Sequence, residues 1–174
     1  VQTCALPIFI DNAAYLDDNG KIQLLVIVAP NGVHQNWINN EIEKHIPDNI
    51  DYVSAAWVST PKKAERLKLE ALCTADLSKL KILAVNVEAF SHKKPVLFIS
   101  KIINTYSTLM AVDESTRIKT PKAKRTRNIL RIGKYVAYKR ILSGLAITQN
   151  QLDLFAQFKF LNPSITGYTT FTSF

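Results

Sequence analysis

At 174 residues the chain has room for one domain with a real core and hardly for two. Its 47% hydrophobic and 21% charged composition is that of an ordinary globular protein, and no apolar run reaches the roughly 18–20 residues of a membrane helix. The formal charge is +8; Cys4 and Cys73 lie too far apart for a disulfide framework or a metal-ligand pair, so a reducing cytoplasmic setting is expected.

In chain order, LLVIVAP (24–30) is a continuous apolar run that stops at Pro30-Asn31-Gly32, the pattern of a buried strand and a turn. Trp37, Ile38, Ile42 and Ile46 then recur at helical spacing, and Pro47 closes that segment. YVSAAWV (52–58) alternates as strands do, and PKKAERLKLEAL (61–72) opens with a proline suited to a first helical turn. KILAVNV (81–87) predicts a buried strand, PVLFISKIINTY (95–106) a helix, TLMAVDE (108–114) a strand and KAKRTRNILRIGKYV (122–136) a helix. YKRILSGL (138–145) predicts a last strand, and QLDLFAQFKFL (151–161) a helix with Leu152, Phe155 and Phe158 on its apolar side. No strand is evident in the closing TGYTTFTSF.

Apolar strands alternating with helices predict an α/β fold with a mainly parallel sheet covered by helices on both faces. In such sheets ligands gather at the carboxyl ends of the strands. The turns Pro30-Asn31-Gly32, Asn86-Val87-Glu88, Asp113-Glu114-Ser115 and Ser143-Gly144 each follow a predicted strand, so all four should share one rim.

The charge excess comes from one block: ten Lys or Arg and no Asp or Glu between Arg117 and Arg140. At 100° per residue Lys124, Arg127, Arg131 and Lys134 fall within an arc of about 80°, opposite Ile129, Gly133 and Val136. That stripe suits either a solvated face or a polyanionic partner.

Asp113-Glu114 closes an apolar strand with two carboxylates. In nucleoside triphosphatases an Asp at that place holds Mg²⁺, usually through water, while a neighbouring carboxylate acts on the attacking water. The pair alone is a weak signal, and its weight comes from the segments around it. LLVIVAPNGVHQNWINNEIEKHIP resembles the strand, turn and helix of motif Ia in superfamily 2 helicase-like ATPases. ILAVNVEAF is similar to the next strand-end motif. DESTRIKTPKAKRTR resembles the Swi/Snf-type motif II, and RILSGLAITQNQLDLFAQFKFLNP its motif III with the aromatic-rich extension. The likeness runs from about Phe9 to Gly167, and its wording is nearest to compact phage and bacterial members.

The resemblance implies the first RecA-like domain of a Swi/Snf-type DNA-dependent ATPase or translocase, a three-layer P-loop fold that uses ATP and Mg²⁺. Asp113 would coordinate Mg²⁺ and Glu114 would be the general base. Ser143 and Gly144 would couple the nucleotide to the DNA track, and Pro30, Asn31, Gly32 and Asn86 would lie beside the DNA backbone. In this setting the Lys124, Arg127, Arg131 and Lys134 stripe would face DNA or a partner domain. A second RecA-like domain, supplying an arginine finger, is the other expected partner, and no membrane is. One departure is Ser-Gly-Leu-Ala at 143–146, where the family favours Thr-Gly-Thr-Pro.

The other departure is larger. The family's Gly-Lys-Thr loop, which wraps the phosphates, should stand near positions 4–6, immediately before FIDNAAYLDDNGK (9–21). No glycine or lysine precedes Gly20 and Lys21. Residues 1–8, VQTCALPI, translate codon for codon the sequencing-adapter end GTTCAGACGTGTGCTCTTCCGATC, and are expected to be an assembly artefact. The domain is then 9–174, without its phosphate loop and inactive alone. If VQTCALPI is native, the alternative is a non-catalytic nucleic-acid-binding RecA-like module. Among the remaining residues, His34, His45 and His92 read as surface or cap residues and Cys73 as a small buried hydrophobe. Trp37, Trp57, Phe155, Phe158 and Phe160 read as mainly core.

Overall fold

The computed structural model describes residues 5–168 and 170–174, so Cys4 lies outside the described residues. Five strands form one sheet: β1 (Leu24–Ala29), β2 (Tyr52–Ala56), β3 (Leu80–Asn86), β4 (Thr108–Asp113) and β5 (Tyr138–Leu142). Their order is β2-β3-β1-β4-β5 and every pairing is parallel. β1, β3 and β4 are buried almost end to end, which their unbroken apolar runs require, because helices cover both faces.

The helices are α1 (Ala5–Asp18), α2 (Val33–Asn36), α3 (Ile42–His45), α4 (Lys63–Thr74), α5 (Lys93–Thr105), α6 (Lys124–Gly133) and α7 (Leu154–Leu161). A π-helical turn, Trp37–Glu41, joins α2 to α3. On one face of the sheet Phe9, Ile10, Ala13, Trp37 and Ile42 pack against Leu25, Ile27, Ile82 and Leu109. On the other, residues of α4, α5 and α6 with Phe160 pack against Val26, Val28, Leu83, Val85, Met110 and Val112. The result is the expected three-layer, RecA-like α/β architecture.

Several local expectations are corrected. The strand predicted over 138–145 ends at Leu142, where the chain turns into the exposed Ser143-Gly144. The last helix begins at Leu154 after a short 3₁₀ turn, Gln151–Asp153, so Leu152 is rotated off the apolar side and is 41% exposed. Phe155, Ala156 and Phe160 are buried instead, and Phe158 is half-buried. Phe171 and Phe174 stack on Phe155 at 5.5 and 5.3 Å between centroids. Cys73 is exposed rather than buried, because the buried stripe of α4 is Leu69 and Leu72. His34 is 3% exposed, not a surface or cap residue, and its ring meets the Trp57 carbonyl at 3.2 Å. Burial pushes its basicity below the ordinary value, so it is neutral at pH 7.

Candidate active site

Because all five strands are parallel, their carboxyl ends share one rim. Along it lie, in sheet order, Trp57 to Ser59, Asn86 to Glu88, Pro30 to Gly32, Asp113 to Ser115 and Ser143-Gly144. Neighbouring strands stand about 4.8 Å apart, so Asn86 and Asn31 flank one stretch of the rim while Asp113 and Ser143 flank the next. Gly32 sits at φ +83°, a backbone that side chains other than glycine's resist. That turn releases the chain from β1 into α2.

Asp113 ends β4 and is 7% exposed. Its Oδ2 accepts a hydrogen bond from the Trp37 indole N–H at 2.9 Å, and its Oδ1 accepts from the Glu114 amide at 2.9 Å. Burial pushes its carboxyl above the ordinary range and the Glu114 charge adds to this, while the two hydrogen bonds oppose the rise. Each oxygen retains a lone pair that a metal-bound water can use. Trp37 opens the π-helical turn, a feature that gathers at functional sites.

Glu114 is half-buried and lies in the left-handed region at φ 48°, ψ 57°. It is the sole non-glycine at positive φ among the described residues. Such a conformation costs about 1–2 kcal/mol and turns the chain abruptly from the strand into the 3₁₀ turn Ser115–Ile118. A cleft of about 660 Å³ opens beside Asp113, lined by Leu6, Gly32, Trp37, Glu41 and Lys44 among others. No three His, Cys, Asp or Glu residues among the described residues are grouped to hold a metal ion. A single buried carboxylate such as Asp113 could hold Mg²⁺ of the water-rich, one- or two-carboxylate kind, and these residues do not make an all-protein metal cage.

A second cleft, about 430 Å³, lies further along the rim between Asn31, Ser59, Asn86, His92 and Lys94. It joins Asn31 and Asn86 to residues that no sequence pattern singles out. The loop after β5 is held largely by its own hydrogen bonds. Ser143 spends its hydroxyl on Leu145, donating to the carbonyl at 3.0 Å and accepting from the amide at 3.2 Å. The rest of the loop hangs on Asp153, whose Oδ2 accepts from the Thr148 hydroxyl (2.7 Å), the Thr148 amide (2.9 Å) and the Gln149 amide (2.9 Å).

The Thr148 hydroxyl bond leads in holding the Asp153 carboxyl at about 2; burial opposes it, and the two amides and Lys119 assist. The folded chain therefore binds this proton less tightly than the unfolded one. Its stabilising contribution is complete above the ordinary value of 3.8 and is lost as pH falls through about 2. Amide exchange at Thr148 and Gln149 should accelerate over that window in the native chain and already be fast at pH 7 in Asp153→Asn. Unchanged exchange in Asp153→Asn would refute the anchor.

The basic stripe exists: Lys124, Arg127, Arg131 and Lys134 are all exposed, with Thr126, Ile129, Ile132 and Gly133 buried opposite them. A Cβ on Gly133 would come within 3.1 Å of the Phe160 ring, so glycine there lets α6 and α7 meet closely. The helix connects two parallel strands and must run back from the rim. Its first half is tied there, Asn128 donating to the Phe90 carbonyl at 2.7 Å, while Arg131 borders Ser100, Asn104 and Tyr135 at the other end. Ten residues at a rise of about 1.5 Å separate Lys124 and Lys134 by about 15 Å. The rim gains Lys124 and Arg127 and leaves Arg131 and Lys134 behind.

Residues 8–174 match the family model of the SNF2-related domain. The chain belongs to the SNF2-related family. Among solved structures, this SNF2-related chain is similar to the Sulfolobus solfataricus SWI2/SNF2 ATPase core in complex with dsDNA, with a TM-score of 0.62 and 17% identity. The likeness covers 92% of this chain and 29% of that one, and at such identity it speaks for the fold. No curated protein matches the chain significantly in sequence. The SNF2-related assignment agrees with the family resemblance carried by residues 24–47, 82–90, 113–127 and 140–163.

Proposed function

We propose that this chain is the first RecA-like lobe of a DNA-dependent ATPase that moves on duplex DNA, its rim serving nucleotide on one side and DNA on the other. The observation that carries the reading is the Asp113-Glu114 pair: one buried carboxylate fixed from two sides beside an open cleft, and directly after it a second held in a strained left-handed turn. Strain of this kind persists where the surroundings over-determine it, and it concentrates at active sites. Asp113 would hold Mg²⁺ through water, the metal supplying charge neutralisation for ATP phosphates when bound. Glu114 would orient and deprotonate the attacking water.

The residues present do not fit a phosphate cradle of the Gly-Lys-Thr kind, since no glycine precedes Gly20 in these 174 residues. Residues 1–8 are therefore proposed to be foreign sequence, 9–174 the domain, and the chain by itself inactive in ATP hydrolysis. A non-catalytic nucleic-acid-binding module is the reading that holds if VQTCALPI is native.

On the DNA side Pro30, Asn31, Gly32 and Asn86 would sit along the sugar-phosphate backbone, where small polar groups position a strand without reading its sequence. Lys124 and Arg127 would add charge from the rim end of α6. Duplex binding by the 174-residue chain should weaken steeply with salt. Lys124→Glu with Arg127→Glu should flatten the log–log slope by about two, at about 0.9 for each phosphate no longer neutralised. Arg131→Glu with Lys134→Glu should leave it near the native value. Fluorescence anisotropy from 50 to 300 mM salt checks this, about the range in which such electrostatic binding is read. A native slope in the first pair returns the stripe to a solvated face.

A further inference from the structure

We infer that Gln157 is a positioning residue that ties the Glu114 turn to the loop following β5; the inference rests on reading Asp113 and Glu114 as the catalytic carboxylates. Ser115 and Gln157 are both fully buried. The Ser115 hydroxyl and the Gln157 Oε1 stand 2.5 Å apart, and the Gln157 Nε2 donates to the Ala146 and Asp153 carbonyls, each at 2.8 Å. Both Nε2 partners are pure acceptors, so the amide has one possible orientation and Ser115 must be the donor. A buried glutamine on a helix that otherwise packs Phe155, Ala156 and Phe160 is costly unless every polar atom is used, and here they are.

The amide therefore spans two loops. On one side is the residue directly after Glu114, and on the other the backbone of Ala146. Beyond Ala146, Asp153 clamps Thr148 and Gln149. Lys119, from the same segment as Ser115, reaches the Thr148 hydroxyl at 2.6 Å and the Gln149 side-chain oxygen at 3.2 Å. Ser143 spends its hydroxyl within its own turn, so the link from Ser115 to Ala146 passes through Gln157 of α7. A rotation of the left-handed turn at Glu114 displaces Ser115, and the Gln157 amide carries that displacement to Ala146. The polar atoms of the connection are satisfied throughout, and such networks fix a single arrangement.

The test uses the intact 174-residue chain, labelled with ¹⁵N, and amide shifts as the readout. Glu114→Gly relaxes the left-handed turn, and the expected result is displaced amide resonances at Leu145, Ala146 and Ile147. In Ser115→Ala and in Gln157→Glu, which keeps an acceptor for Ser115 and loses both donors, that response should be lost. In Lys119→Met it should persist. A merely structural glutamine would lower the melting temperature in Gln157→Glu and leave the response in place. Persistence in both Ser115→Ala and Gln157→Glu overturns the inference; if Gln157→Glu fails to fold, Ser115→Ala decides alone. No arm contains nucleotide, so failure here is distinct from failure of the ATPase reading, which hydrolysis assays judge.

Discussion

Joined in one polypeptide to an upstream strand ending in Gly-Lys-Thr before Phe9 and to a second RecA-like domain downstream, residues 9–174 should hydrolyse ATP when duplex DNA is present. In that longer chain Glu114→Gln should reduce turnover by a factor of about 10² to 10⁴, the usual weight of a positioned general base. The 174 residues alone should show no turnover above their own Glu114→Gln control. The reason is charge. Catalysis of phosphoryl transfer is mostly positioning and electrostatic stabilisation of the γ-phosphoryl group, and in the proposed reading Asp113 and Glu114 supply the carboxylate side of it. Asp113 and Glu114 cannot neutralise phosphate oxygens; in the longer chain a lysine and backbone amides of the Gly-Lys-Thr loop, and an arginine of the second domain, would have to. Coupled-enzyme measurement of phosphate release decides the matter. Turnover in the short chain above its control would refute the missing-cradle argument. An active longer chain indifferent to Glu114→Gln would refute the assignment of the base.

Trp37→Ala should come close to unfolding the domain. The indole is 1% exposed, packs edge-on against Phe9 at 5.8 Å between centroids, and donates to Asp113. Truncating a core tryptophan costs about 3–5 kcal/mol, and a buried acceptor stripped of its donor adds about 1–3 kcal/mol, against a total of about 5–15 kcal/mol for a domain. Trp37→Phe separates the two contributions, since it retains most of the apolar packing and removes the N–H. Its cost should be about 2 kcal/mol at pH 7. The indole bond holds the Asp113 carboxyl down against burial, so losing it lifts that carboxyl further. The folded variant then grips the proton more tightly than the unfolded chain does, and stability is recovered as pH falls through the raised value. Urea unfolding in a series of buffers from pH 7 downward should show the deficit of Trp37→Phe shrinking as the pH falls through the ordinary carboxyl range. A deficit that stays constant across the series would show that Asp113 does not feel the indole.

These effects bear differently on the local and the tertiary levels. A strained Glu114 and a buried Asp113, its carboxyl pushed above the ordinary range by burial, both work against stability, and they occur side by side at the end of β4. The structure around them compensates with Trp37 on one side and the fully satisfied Ser115–Gln157 pair on the other. That arrangement is what a preorganised site requires, and it places the supporting residues on two helices, α7 and the π-helical turn, that lie on opposite faces of the sheet.

By itself the amino-acid order determined the strand runs at 24–30, 81–87 and 108–114, to within a residue at either end, the helices between them, and hence a parallel sheet with its turns on one rim. These follow from hydrophobic period and chain connectivity, which are local quantities. The Asp113-Glu114 pair was legible for the same reason: two carboxylates after an apolar run stand out within a few residues. The rotation of side chains about each element was not. Trp37 reaches Asp113 across 76 positions and Ser115 reaches Gln157 across 42, and such meetings depend on strand register and helix phase. A π-helical turn shifts that phase by one residue with no sign in the composition, and a 3₁₀ start to the last helix moved Leu152 outward in the same way. The basic stripe was readable as a stripe on α6, yet its division between rim and far end depends on the direction in which the helix crosses the sheet. His34 and Cys73 exchanged their expected surroundings because burial is decided by what packs above a residue, and only the tertiary structure supplies that neighbour.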